Sequence, residues 1–242
     1  MFMRKFAYLS ISFAVLTWAG CDVLNQIQTT PVADADPTTS EMIGGLKQAL
    51  EVGAKNAVGF LNKEDGFFKD PIVKIPFPPE AAKVEKTLRD VGAGKLVDDF
   101  VLKMNRGAEA AAKEATTIFV ESIKAMTIGD AKTILTGPDN SATQYFEKNT
   151  RTQLYQKFYP HIKNAMNTVG AAKLWTDVTT RYNQVPLTKP VNTDVVDFAT
   201  NKALDGLFVK LAAEEKKIRM DPLARVSDLL KKVFDWAAKN RS

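Results

Sequence analysis

Cysteine and histidine are almost missing from this chain of 242 residues: Cys21 and His161 stand alone. One cysteine cannot close an internal disulfide, so packing must supply the stability. Zinc sites built from several His and Cys ligands are excluded, and a Ser-His-Asp triad has a single imidazole to draw on. The nucleophile-elbow pattern Gly-x-Ser-x-Gly and the zincin pattern His-Glu-x-x-His are both absent. Long apolar runs are scarce too. Phe6 to Ala19 is the only one, and nothing after Cys21 is long enough to span a membrane. No period of 20–50 residues repeats, which argues against a solenoid. Gly92-Ala93-Gly94-Lys95 has the wrong spacing for a phosphate loop, with Leu96 in place of Ser or Thr. Asn62-Lys63-Glu64-Asp65-Gly66 lacks the alternating oxygen ligands of a calcium loop and reads as a turn. No metal or other cofactor is expected.

What is present begins at the N-terminus. Arg4 and Lys5 precede the apolar run, which closes on Trp18-Ala19-Gly20-Cys21. A basic, then apolar leader ending in small residues before cysteine resembles a bacterial lipobox, although Trp18 stands where leucine is usual. This pattern predicts a signal peptide over residues 1–20, cleaved so that Cys21 is acylated. The mature protein is then expected in the periplasm or cell envelope, held to a membrane by its lipid. Each buried methylene contributes about 0.8 kcal/mol, so several acyl chains hold firmly where one does not. Two other readings stay open: a secreted protein cut elsewhere within Thr17–Gly20, and a cytosolic protein with an uncleaved apolar end. Asp22 follows the cysteine, and the choice between inner and outer membrane is open. Residues 21–39 are polar and rich in turn formers, which predicts a flexible tether.

The remainder has the composition of one globular domain, with 45% hydrophobic and 25% charged residues over the whole chain. Arg4 and Lys5 are the only charges of the leader, so its loss lowers the net charge from +5 to +3. Positive charge gathers near the C-terminus, where Lys216, Lys217, Arg219, Arg225, Lys231 and Lys232 form a candidate basic face. Anionic headgroups, acidic wall polymers or an ordinary solvated helix face all fit such a patch. The export signal argues against nucleic acid as the partner.

Hydrophobic periodicity is helical from Thr38 onward. Thr38-x-x-Glu41 and Thr127-x-x-Asp130 fit capping boxes. Pro79 starts a helix that Gly92 stops. Lys95 to Met126 reads as one long helix, with Val97, Phe100, Met104, Ala108, Ala111, Ala115, Ile118 and Phe119 on its apolar stripe. Thr150 reads as a new cap, and Pro160 as a kink or division. Asp194–Ala199 and Lys202–Arg219 read as separate helices. The last helix is expected over Pro222–Lys239, with Asp221 as N-cap and Leu223, Val226, Leu230, Val233 and Ala237 on its buried stripe. Between Asn62 and Pro79, Ile72-Val73-Lys74-Ile75-Pro76-Phe77 is apolar, β-branched and proline-rich. It is expected to lie across the helices as a strap, since Pro76 removes a donor that a hairpin needs. The predicted fold is all-α: an irregular bundle of about eight to ten helices over residues 40–239, with one extended Pro-rich strap.

Three further groups are candidates for function. Tyr145, Tyr155, Tyr159 and His161 cluster in sequence, with Trp175 beyond and Phe77 on the strap; aromatic groups of this kind line apolar pockets or simply fill a core. Asn105 and Arg106 fall in the small-residue helix, where a buried Arg106 needs a carboxylate from Asp98, Asp99 or Glu109. Carboxylates are the one route to catalysis, but Asp98-Asp99 and Glu214-Glu215 are sequence neighbours about 100° apart on a helix, and the glutamates read as surface ion pairs.

Gly45-Leu46-Lys47-Gln48-Ala49-Leu50, Asp70-Pro71-Ile72-Val73-Lys74-Ile75-Pro76, Gly94-Lys95-Leu96-Val97-Asp98-Asp99-Phe100 and Met104-Asn105-Arg106 resemble a bacterial family defined as a domain of unknown function, DUF4197. Ala203-Leu204-Asp205-Gly206-Leu207-Phe208, Glu214-Glu215, Ile218-Arg219-Met220-Asp221-Pro222 and Leu229-Leu230-Lys231-Lys232-Val233-Phe234 continue the likeness. It runs in order from about Ser40 to Phe234. The resemblance implies an all-helical domain, often behind a secretion or lipoprotein leader, and implies no activity, ligand or catalytic residue. The expected function is a membrane-anchored envelope lipoprotein whose helical domain binds an envelope protein or an apolar or anionic small molecule. The alternative is a hydrolase or lyase acting on envelope polymers through carboxylates.

Overall fold

In the computed structural model, which describes residues 36–168, 171–184, 190 and 194–240, Thr38 begins the first helix as its sequence dictates. Its hydroxyl accepts from the Glu41 N–H at 3.2 Å, and Glu41 Oε2 accepts from the Thr38 N–H at 2.7 Å. This reciprocal pair satisfies two donors that a helix start leaves free. Cys21, the leader and all but the end of the tether lie outside the described residues.

Helix α1 (Thr39–Leu61) is followed by an irregular segment, a short 3-10 turn (Pro79–Ala81) and α2 (Ala82–Asp90). Then come α3 (Gly94–Ala112), α4 (Ala115–Ala125), α5 (Ile128–Thr136), α6 (Ser141–Asn167), α7 (Ala171–Asn183) and α8 (Val195–Met220). A second 3-10 turn (Pro222–Ala224) leads to α9 (Asp228–Lys239). The described residues form an all-α multi-helix bundle without a strand. α6 packs against α3, α4 and α8, while α1 packs against α8, α4 and α9. α1 and α8 run antiparallel: Asn56 meets Glu214, and Gly53 faces Glu214 and Ile218. The core runs through Leu46, Leu61, Met104, Phe119, Phe146, Phe158, Ile162 and Leu207, all essentially inaccessible.

Two glycines allow close approaches that matter for the strap and for the central helix pair. A Cβ on Gly107 of α3 would fall 2.8 Å from the Ile162 Cα of α6. One on Gly206 of α8 would fall 2.9 Å from the Phe67 ring and 3.1 Å from Val73 Cβ. The second contact seats the strap. Residues 62–73 are mostly tight turns, and 74–78 are extended. Val73, Ile75 and Phe77 are buried while Ile72, Lys74 and Pro76 face out, the period-two alternation of an extended chain on a surface.

Several helix limits differ from the sequence expectation. The long helix over Lys95–Met126 is broken at Lys113–Glu114, where Glu114 N–H bonds Ala111 O and Thr116 N–H bonds Lys113 O in tight 3-10 fashion. The restart lets Phe119 of α4 meet Phe146 and Phe208, with ring centres 4.8 and 6.4 Å away. Conversely, α6 runs unbroken through Thr150 and Pro160. Thr150 is not a cap; its buried hydroxyl donates to Phe146 O at 2.6 Å. Leu154, Phe158, Ile162 and Met166 are fully buried on both sides of Pro160, and that packing outweighs one missing ladder bond. Asp194 caps a single helix α8 rather than the first of two, accepting from the N–H groups of Val196 and Asp197, both at 3.0 Å. At the C-terminus Asp221 caps only the 3-10 turn, and Ser227 caps α9. Leu230, Val233 and Ala237 are buried as expected, but Leu223 and Val226, placed on the same stripe, are 93% and 68% exposed.

Candidate functional site

The candidate aromatic residues do not converge on one pocket, although the Tyr155 and Tyr159 rings lie 5.8 Å apart. Tyr145 and Tyr159 are fourteen residues apart on α6, about 21 Å along its axis. Each borders its own open groove. Tyr145 lies beside Glu121, Asp130 and Lys148, and its hydroxyl donates to Ser122 O at 3.2 Å. Tyr159 lies beside Lys163 and Asp194 and donates to Asp194 Oδ2 at 3.1 Å. Tyr155 donates to Asp197 Oδ1 at 2.7 Å. Burial, reinforced by Asp197, holds its phenol well above the ordinary range. His161 Nε2 lies 3.4 Å from Glu114 at the α3–α4 break. Phe77 and Trp175 do meet, with Phe100, at ring-centre distances of 5.2–5.6 Å. This trio is closed core, and it pins the end of the strap instead of opening a pocket beneath it.

Asn105 and Arg106 act on the strap as well. Asn105 is fully buried; its Oδ1 accepts from Ile75 N–H at 2.9 Å, and its Nδ2 donates to Ile75 O at 2.8 Å. One side chain thus satisfies both polar groups of a buried extended residue, as a neighbouring strand would. One turn along α3, Glu109 Oε1 accepts from the N–H groups of Phe67 and Phe68, each at 3.1 Å. Arg106 binds the other Glu109 oxygen at 2.6 Å and reaches Asp65 at 2.8 Å. Asp98 is no partner for Arg106. It is largely exposed and pairs with Arg89 at 2.9 Å. From sequence Glu109 is expected only as a salt-bridge option for Arg106. Its spacing of four from Asn105, on the face toward the strap, is the signal that marks its role as a second clamp.

The basic face requires a correction. Arg219 and Arg225 are buried, at 7% and 5% exposure, and the adjoining Glu215 is buried rather than on the surface. Glu215 accepts from the N–H groups of Ala142 and Thr143 and from the Thr143 hydroxyl, at 2.8–2.9 Å, capping α6 from another helix. Arg219 binds Glu215 at 2.8 Å and donates to Ile134 O at the end of α5. Arg225 donates to Ile218 O at 3.0 Å and Arg219 O at 2.8 Å, closing the end of α8, and pairs with Asp235. Cations at helix C-termini and a carboxylate at a helix N-terminus each complement the helix dipole. Lys232 is half-buried against Glu41 at 2.7 Å, and Lys231 pairs with Asp228 at 3.2 Å.

Lys216 and Lys217 stay exposed, with no acidic partner within ion-pair distance among the described residues. Lys217 borders an open groove of about 640 Å³ between α1 and α8, with Lys55, Lys63 and Lys210. Lys63 and Lys210 flank the half-exposed Phe60 ring at 4.6 and 4.4 Å. Lys210 is committed to Asp70 as well. An apolar cavity of about 20 Å³, bounded by Leu46, Leu50, Phe146, Leu211 and Phe234, is close to the volume of one water. Among the described residues no group of three or more His, Cys, Asp or Glu side chains is placed to hold a metal ion, and no helix is long and apolar enough to cross a membrane.

A family model described as "Protein of unknown function (DUF4197)" matches residues 36–235, so the chain belongs to that family. No curated protein and no solved structure matches it.

Proposed function

We propose that this member of the DUF4197 family is an envelope lipoprotein: Cys21 carries the lipid, and the helical domain is a non-catalytic binding or scaffold module at the membrane. The leader carries the reading, through Arg4-Lys5, the apolar run to Ala19 and Ala19-Gly20 directly before the single cysteine. The uses found for the buried carboxylates support the non-catalytic part. Glu109 and Glu215 are spent on backbone N–H groups and arginines that hold the fold together. The pairs at Asp98 and Asp99 are surface ion pairs with Arg89 and Lys95. Neither arrangement presents two carboxylates across a cleft, as bond cleavage by acid and base requires.

Cys21→Ala, expressed in a bacterial host and fractionated, tests the anchor. The parent is expected in the membrane fraction with a diacylglycerol-modified N-terminal peptide by mass spectrometry, and the variant in the soluble extracytoplasmic fraction. A variant that stays wholly membrane-bound with an intact leader refutes the reading.

A further inference from the structure

Among the described residues nine large apolar side chains are exposed, and three of them sit together at one turn. Met220, Leu223 and Val226 are 64%, 93% and 68% exposed within seven residues, at the turn between α8 and α9. The turn is built rigidly around that exposure. Asp221 accepts from the Leu223 N–H at 2.9 Å and fixes the 3-10 turn. Beneath it the buried Arg225 binds the Ile218 and Arg219 carbonyls and Asp235. Leu223 is therefore held outward by a framework of buried hydrogen bonds, although it follows Pro222 in a segment whose pattern suits a buried helix face.

Charge surrounds this apolar tip on one side. Lys216 and Lys217 lie one turn before Met220 on α8, at helical spacings of four and three. The acids nearby are engaged: Asp221 in its cap, Asp228 with Lys231 and Asp235 with Arg225. An apolar wedge flanked by unpaired lysines matches the boundary of an anionic bilayer, where the wedge enters the acyl region and the lysines meet headgroups. The chain length fits as well. The domain's first described residue, Asp36, follows Cys21 by fifteen positions, a reach of at most about 50 Å. Ser227, at the end of the turn, bonds Gln48 of α1. The level of that contact is ten residues, about 15 Å, along α1 from Thr38.

We infer that the Met220–Val226 turn is a second membrane contact, inserting Leu223 into an anionic lipid surface with Lys216 and Lys217 on its headgroups. This rests on the proposed envelope location but not on acylation of Cys21, and the two are separable.

In the acylated full chain Leu223→Cys introduces the one free thiol, which takes an environment-sensitive nitrobenzoxadiazole label; Val91→Cys, at another exposed site, is the control. Reconstituted in phosphatidylglycerol-containing vesicles, the 223 label is expected to blue-shift and to be quenched by spin-labelled acyl chains, while the 91 label stays water-like. Each lysine near the surface is worth about a fivefold change in docking equilibrium, so Lys216→Gln with Lys217→Gln, or vesicles of phosphatidylcholine alone, lowers it about thirtyfold. A water-like label at 223, or equal quenching at 223 and 91, overturns the inference. Thiol labelling of the parent separates the readings. Uptake at Cys21 refutes acylation only, and the turn is then scored in the Cys21→Ser chain by the same two positions.

Discussion

Replacing Asn105 with leucine tests whether the strap is held by one amide. The side chain is fully buried, and leucine has the same branched skeleton with somewhat bulkier ends, so no cavity forms. What disappears is the pair of hydrogen bonds to Ile75, at 2.9 and 2.8 Å, together with a third to Val101 O at 2.8 Å. The Val101 carbonyl keeps its bond within α3. The Ile75 N–H and C=O lose their side-chain partner while Ile75 itself is only 1% exposed. Two orphaned buried groups cost about 1–3 kcal/mol each, so Asn105→Leu is expected to lose about 2–6 kcal/mol. For a domain of this size each kcal/mol lowers Tm by about 2–4 °C. Urea unfolding should show a lower midpoint at unchanged slope, and hydrogen exchange should show faster exchange of the Ile75 amide. Lys74→Ala, one residue away but exposed, is the control: it loses only a contact with the Phe68 ring at 4.5 Å and is expected to cost no more than about 0.5–1 kcal/mol, with the Ile75 amide still protected. A midpoint within about 0.5 kcal/mol of the parent, with the Ile75 amide still protected, would refute the clamp.

Glu215→Gln leaves Arg219 buried without its counter-charge and is expected to destabilise by about 3–5 kcal/mol, read by denaturant titration. Gly107→Ala forces α3 off the Ile162 backbone and is expected to cost about 1–2 kcal/mol net of the gain in helix propensity. By contrast Gly59→Ala, with nothing within 4 Å of the new Cβ, is expected to gain about 0.5–1 kcal/mol in the same assay. The hydrogen bond from Lys232, aided by Thr38, lowers the Glu41 carboxyl from an ordinary 4.5 to about 2 in the folded protein. A depressed carboxyl contributes stability above its unfolded value and loses it as pH falls through the folded one. The α1–α9 contact should therefore weaken between about pH 4.5 and 2, with Glu41 titrating near the lower limit by carbon-13 NMR, and Lys232→Met should return that titration toward 4.5.

Features written into adjacent residues were legible in the chain. Both capping boxes form as read, at Thr38–Glu41 and Thr127–Asp130, because each is closed by atoms three residues apart. The strap followed from Pro76 and from β-branching, and its burial alternates as an extended chain must. Breaks and joins set by distant contacts were not legible. The residues Ala111-Ala112-Lys113-Glu114-Ala115 favour helix throughout, yet the helix breaks there and restarts where Phe119 meets Phe146 and Phe208. Thr150 and Pro160 carry local signals to stop, and the buried row from Leu154 to Met166 overrides them. Propensity differences amount to tenths of a kcal/mol per residue, whereas a buried Phe or Ile contributes about 1.5–3 kcal/mol.

The same reasoning explains why charge was the least legible feature of all. A run of Lys and Arg carries no sign of whether its members face water, and here the division falls by residue type. Arg219 and Arg225, whose planar guanidinium can serve several carbonyls at once, go inside and close the ends of α5 and α8. The compact, strongly hydrated ammoniums of Lys216 and Lys217 stay out. Glu109 and Glu215 do at helix N–H groups and strap amides what the arginines do at carbonyls. Each of these four buried ions therefore substitutes for a missing backbone partner at a helix end or on the strap. It follows that Arg219→Met should lower stability without altering lipid contact, that removing Arg225, which braces the 220–226 turn, should lower both, and that removing the two lysines should lower lipid contact alone.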